Sequence, residues 1–208
     1  MKNVGSDITK DARIPAGNLE LAGSLTVPSG AAGIVLFAHG SGSSRHSPRN
    51  KAVADEMNRS GLGTLLFDLL TADEESVDIY TRHLRFDIGL LASRLVAATH
   101  WLRDISGIGG LPVGYFGAST GGGAALVAAA ELGPQIAAVV SRGGRPDLAG
   151  EALRKVKAPT LLLVGELDEV VIEMNEEALA RLTCEKRLLP PGNGAAESLL
   201  LRDRTAAI

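Results

Sequence analysis

Apolar residues follow two rhythms along this chain. The first has a period of two. Ala12–Pro15, a turn at Ala16-Gly17-Asn18, and Leu19–Val27 with Leu19, Leu21, Leu25 and Val27 in alternation predict a strand pair. Beyond it come short runs that are apolar at both parities: Ile34-Val35-Leu36-Phe37-Ala38, Thr64-Leu65-Leu66-Phe67, Pro112-Val113-Gly114-Tyr115-Phe116, Ile136-Ala137-Ala138-Val139-Val140 and Thr160-Leu161-Leu162-Leu163-Val164. Each is too short for a helix and reads as a strand buried on both faces. A further strand falls at about Glu185–Leu189. The intervening stretches, Pro48–Ser60, His83–Arg103, Ser119–Leu132 and Glu173–Leu182, carry helical spacing. In His83–Arg103 the apolar face is Leu84, Ile88, Leu91, Leu95, Ala98 and Leu102. Strands alternating with helices predict an α/β fold with a mostly parallel sheet and helices on both faces. No linker or repeat interrupts the pattern. The reading is a single domain over residues 1–208, with 1–11 and 190–208 as atypical or flexible ends.

In such sheets ligands bind beyond the carboxyl ends of the strands. Phe37-Ala38 is followed by His39-Gly40-Ser41-Gly42-Ser43-Ser44-Arg45-His46, small residues that let backbone approach a ligand. The plain reading is a flexible connection; a phosphate loop is the other, but the Lys-Ser/Thr pair it needs is missing. Tyr115-Phe116 leads into Gly117-Ala118-Ser119-Thr120-Gly121 and then an Ala-rich helix. Gly-x-Ser-x-Gly between a strand and a helix is the nucleophile-elbow pattern, with Ser119 as nucleophile; the plain alternative is a Gly-rich turn holding an inert serine. Leu161–Val164 leads into Gly165-Glu166-Leu167-Asp168-Glu169. Asp168 there suits a carboxylate that orients an imidazolium, or else a helix N-cap. Arg45 and His46 lie on the first loop, and Arg142-Gly143-Gly144-Arg145 follows the strand Ile136–Val140. Their guanidinium groups suit a substrate carboxylate or phosphate, or an ion pair with Asp147. His39 suits a buttress for its own loop. His83 and His100 fall on the long helical stretch and Trp101 on its core side, as structural residues.

Val35–Ser44, Gly114–Gly123 and Leu161–Asp168 in this order resemble the α/β-hydrolase superfamily, in its compact dienelactone-hydrolase-like branch. The resemblance covers about Ala12 to Leu189. It implies Ser119 as nucleophile, Asp168 as acid, and the backbone N–H groups of Ser41 and Thr120 as the oxyanion hole. It also implies a base histidine in a Pro-Gly-x-x-His-like loop after the last strand. Here that loop reads Pro190-Pro191-Gly192-Asn193-Gly194-Ala195-Ala196, and no histidine follows His100. The family's long terminal helix is shortened as well. His46 is then the one candidate for a substitute base, if its loop folds over Ser119.

Composition narrows the remaining choices. Hydrophobic residues make up 45% of the chain and charged residues 22%, enough apolar content for a packed core. A formal net charge of −3 supplies no electrostatic drive toward nucleic acid or an anionic membrane. Cys184 is the single cysteine, so no internal disulfide forms and no Cys-rich metal site is expected. The start, Met1-Lys2-Asn3-Val4-Gly5, lacks the apolar core of a signal peptide, and no apolar run reaches the ~20 residues of a membrane span. The expectation is a cytoplasmic enzyme without cofactor that hydrolyses small carboxylic esters or lactones. The alternative is a catalytically impaired hydrolase fold that binds a small ligand, because the base histidine is absent. Leu188, Leu189, Leu199, Leu200 and Leu201 lack the cover of a long terminal helix, which predicts a homo-oligomer.

Overall fold

The computed structural model describes residues 7–165 and 169–189. Its centre is an eight-stranded sheet in the order β1-β2-β4-β3-β5-β6-β7-β8. β1 (Ile8–Ala16) and β2 (Leu19–Val27) form a hairpin whose register closes at Ala16 opposite Leu19. Gly17 takes φ +67 in the turn, a conformation that suits glycine. β2 pairs antiparallel with β4 (Gly63–Phe67). From there β3 (Ile34–Ala38), β5 (Val113–Ala118), β6 (Ile136–Arg142), β7 (Thr160–Leu163) and β8 (Lys186–Leu189) continue in parallel. The helices are α1 (Pro48–Arg59), α2 (Ala72–Thr81), α3 (Ile88–Arg103), α4 (Thr120–Leu132) and α5 (Glu169–Arg181).

The parity of the apolar runs explains the two-sided core. Leu36, Ala38, Tyr115 and Val139 pack with Leu91, Leu95, Ala98 and Leu102 of α3 and the alanines of α4. The alternate positions Phe37, Phe116, Val140, Leu161 and Leu163 form a second cluster with Ala54 of α1 on the opposite face. Phe37 and Phe116 lie with ring centroids 5.1 Å apart, an ordinary aromatic pair distance. Trp101 is half-buried against the larger cluster. The Tyr115 hydroxyl shares a 2.6 Å hydrogen bond with Thr99 Oγ1, and burial pushes its ionisation upward.

Several elements differ from expectation; α5, for one, starts at Glu169 and not at Glu173. The first strand begins at Ile8, not Ala12, because Ile8 to Asp11 continue the ladder against Ser24 to Val27. The stretch His83–Arg103 is not one helix. Leu84–Phe86 forms a 3₁₀ turn, and the Asp87 carboxylate accepts from Leu90 N–H at 2.9 Å, capping a helix that starts at Ile88. His83 therefore sits outside α3, on the surface. Finally, α2 carries no strong apolar stripe; its start is fixed by a capping box. Thr71 Oγ1 accepts from Glu74 N–H at 3.2 Å while Glu74 accepts from Thr71 N–H at 2.8 Å. Arg82 ends it in the left-handed region at φ 56.

The strand order places the site. The chain leaves β3 toward β4 on one side, then returns across it to β5 on the other. The loops after β3 and β5 diverge at this reversal, which is where open α/β sheets form a crevice.

Candidate active site

Ser119 stands between β5 and α4 at φ 51 and ψ −126. Among the described residues only Arg82 shares a positive φ without being glycine. A non-glycine residue held there costs of order 1–3 kcal/mol unless its surroundings enforce it. The enforcement is visible. A Cβ on Gly121 would lie 2.0 Å from the Ala38 carbonyl oxygen, so α4 can start this close to β3 only with glycine at that position. A Cβ on Gly40 would lie 2.9 Å from Ser119 Cβ, which brings the β3 loop directly over the serine. The Ser119 carbonyl accepts from Gly122 N–H and from Arg145 N–H, each at 3.0 Å. The result is a half-buried serine side chain at the amino end of α4, where the helix dipole favours negative charge.

The loop after β6 ties this turn to its neighbours. Gly143 N–H donates to the Leu163 carbonyl of β7 at 2.6 Å. Asn175 of α5, fully buried, donates from Nδ2 to the Gly144 carbonyl at 3.2 Å and to the Val171 carbonyl at 2.7 Å. Arg145 is held in a two-pronged pair with Asp147 at 2.9 and 2.8 Å, which raises the affinity of its guanidinium for the proton.

Around Ser119 the other expected residues fall as follows. Ser41 N–H donates to Thr120 Oγ1 at 3.0 Å, and the Thr120 side chain is buried while Ser41 is exposed. His39 is 8% exposed; its Nε2 accepts from Leu69 N–H at 3.1 Å, so Nδ1 carries the proton and donates to the Gly40 carbonyl at 3.0 Å. Desolvation pushes its pKa below the ordinary 6.5, against the smaller upward pull of the Gly40 carbonyl and Asp68. His39 thus braces the β3 loop as a neutral ring. Arg45 is engaged by Asp68: its N–H donates to Oδ1 at 2.7 Å and its guanidinium binds Oδ2. The Arg142 guanidinium lies over the Phe116 ring, 5.7 Å from the centroid. His46 is exposed, with its backbone N–H on Ser44 Oγ at 3.2 Å. Among the described residues, none hydrogen-bonds the Ser119 hydroxyl, and His83 and His100 are likewise on the surface. Asp168, Ala195 and Ala196 lie outside the described residues.

Arg85 was not singled out by the sequence. Its Nη1 is 3.7 Å from where a Cβ on Gly42 would be. Asp78, fully buried, holds it there by accepting from Arg85 Nε at 2.5 Å, and also accepts from Leu84 N–H at 2.6 Å. Burial alone would push the Asp78 pKa up; the Arg85 bond and the two backbone donors outweigh it, so the carboxyl ends below its ordinary value. The spacing Asp78 to Arg85 crosses a helix end, which no periodicity reveals.

Among the described residues no helix is long and apolar enough to cross a membrane, and no group of three or more His, Cys, Asp or Glu could hold a metal ion.

The model of the dienelactone hydrolase family matches residues 21–187. The chain belongs to the dienelactone hydrolase family. The crystal structure of a dienelactone hydrolase from Anabaena variabilis is 55% identical, with a TM-score of 0.89 over 97% of this chain and 96% of that one. At 16% identity, Est1E from Butyrivibrio proteoclasticus shares the fold with a TM-score of 0.72, covering 93% of this chain and 95% of its own. A Mycobacterium tuberculosis protein, named provisionally as a phosphoribosyl transferase, is 55% identical over 87% of this chain. The chain spans 40% of that protein's length.

Proposed function

We propose that this member of the dienelactone hydrolase family is a serine hydrolase of small carboxylic esters or lactones. The strained Ser119, at a helix start in the crevice between β3 and β5, carries the reading. Ser119 Oγ attacks the carbonyl carbon, its proton passes to a base, and the carbonyl oxygen takes up negative charge. Collapse of that adduct expels the alcohol and leaves an acyl-serine, which water hydrolyses to the acid. The Thr120 amide is assigned to the developing oxyanion, with Ser41 supporting it from the β3 loop, and Asp168 to the acid position. Arg45 and Arg142 are assigned to substrate at the rim. Arg45, although bound to Asp68, keeps further N–H donors for a ligand.

A second reading rests on one observation, that no imidazole bonds the Ser119 hydroxyl among the described residues. In that reading the fold binds a small ligand and turns over slowly, with solvent accepting the proton. Both readings require a reactive Ser119. Treatment with a fluorophosphonate should form one Oγ–P bond with loss of fluoride, seen as a single adduct by intact mass. The adduct should be absent from Ser119→Ala. Equal labelling of the two proteins refutes the assignment.

A further inference from the structure

The amide of Ser41 does not point at an empty hole. It donates to Thr120 Oγ1 at 3.0 Å, in the turn that holds Ser119. A hydroxyl has one proton to donate and two lone pairs to accept with. The Ser41 N–H occupies one lone pair, and among the described residues no acceptor takes the Thr120 proton. Thr120 is 3% exposed as a residue, so bulk water does not readily satisfy that proton. Thr120 is also the first residue of α4, so its backbone N–H has no carbonyl within the helix. Among the described residues, two donors of one residue, its N–H and its O–H, therefore have no protein acceptor beside the candidate nucleophile.

We propose that the Thr120 hydroxyl is itself a catalytic oxyanion donor, and that Ser41 contributes through it. The reading rests on the hydrolase function proposed for Ser119. In the resting site the Ser41 amide donates to Thr120 Oγ1. In the adduct the Thr120 O–H donates to the oxyanion beside the Thr120 N–H, and the Ser41 amide, still donating to the same oxygen, polarises that hydroxyl and strengthens its donation. No bond is broken in the relay; one hydroxyl rotates. The expected pair of backbone donors becomes one backbone donor and one side-chain donor.

Three variants test this through the rate of phosphonylation of Ser119, in which the phosphoryl oxygen takes the oxyanion's place. Thr120→Val keeps the shape and loses the hydroxyl, and should lower the maximal phosphonylation rate by ~10²-fold, the loss seen when one oxyanion donor is removed. The reagent concentration for half-maximal rate should stay within about threefold, because ground-state binding does not use this donor. Thr120→Ser should recover most of the rate. Thr120→Ala should match Thr120→Val, and supplies the comparison if the valine variant folds poorly. If the hydroxyl only fastened the loop, the loss would fall on the half-saturating concentration instead. A Thr120→Val rate equal to or above the parent overturns the proposal, as does a Thr120→Ser rate as low as that of valine. Failure of the parent to label at Ser119 at all refutes the hydrolase reading, and this inference with it.

Discussion

Replacing Ser119 by glycine should stabilise the protein relative to replacing it by alanine. Both changes remove the hydroxyl, so the comparison isolates the Cβ atom. With alanine the residue keeps a side chain at φ 51 and ψ −126, in a region costing of order 1–3 kcal/mol for a non-glycine residue. Glycine relieves that strain but gives the unfolded chain more freedom, a loss of roughly 0.5–1 kcal/mol relative to alanine. The balance centres on about 1 kcal/mol in favour of glycine, equivalent to roughly 2–4 °C in Tm for a domain of this size. Urea unfolding of Ser119→Gly and Ser119→Ala in one buffer measures it, provided the slopes against urea agree. Neither variant should take up a fluorophosphonate. If Ser119→Gly is less stable than Ser119→Ala by the ordinary 0.5–1 kcal/mol, the serine is not strained, and the turn was wrongly read as an enforced one.

Two further outcomes are expected. Because burial holds His39 neutral, the folded protein binds fewer protons than the unfolded chain below the ordinary pKa of 6.5, so its contribution to stability is full above that pH and declines as pH falls. Urea midpoints at pH 7.5 and 5.5 should show a smaller acid loss in His39→Gln, whose amide can still accept from Leu69 and donate to Gly40; an equal loss refutes the assignment. Since the His46 side chain is on the surface, His46→Ala should leave the phosphonylation rate within about twofold, and the parent rate should climb steadily with hydroxide; a tenfold loss in the variant would make His46 the base.

The fold was legible because its strands are buried on both faces. The run Ile34–Ala38, apolar at every position, matches the observed strand to the residue, and the other two-sided runs end within two residues of theirs. The turn around Ser119 was legible because its glycines are sterically necessary, as the 2.0 Å approach at Gly121 makes plain. Helix ends were harder to read, since polar side chains set them. Asp87 divides what the apolar spacing presents as one helix, and Thr71 with Glu74 starts another whose Val77, Ile79 and Tyr80 stay exposed. The Thr71-x-x-Glu74 pattern was present in the sequence as a capping box, but without a buried stripe behind it the helix gave no periodic signal. Pairings across the fold, such as Arg45 with Asp68 or the Ser41 amide with Thr120, depend on which loops meet at the strand reversal. Composition and periodicity carry no information about them; only the family resemblance brought Ser41 and Thr120 to one site.

The geometry around Ser119 and the supply of a base are physically separate. Ser119 is fixed by bonds from Gly122 and Arg145, by glycine at 40 and 121, and by the strands on either side, all within the described residues. A scaffold or passive binder needs no serine in a costly backbone conformation, and the cost persists in the folded state whether or not an imidazole is present. What an absent imidazole removes is the acceptance of the serine proton, a factor of ~10²–10⁴ in rate. It does not remove the helix start, the buried Thr120 or the bracing of the β3 loop by His39. Under the proposed function, slow hydrolysis and ligand binding with occasional acylation are two rates of one geometry. The proton acceptor available at Ser119 would set which of them is observed, and the strain in the elbow favours the proposed acyl chemistry over a role for the fold alone.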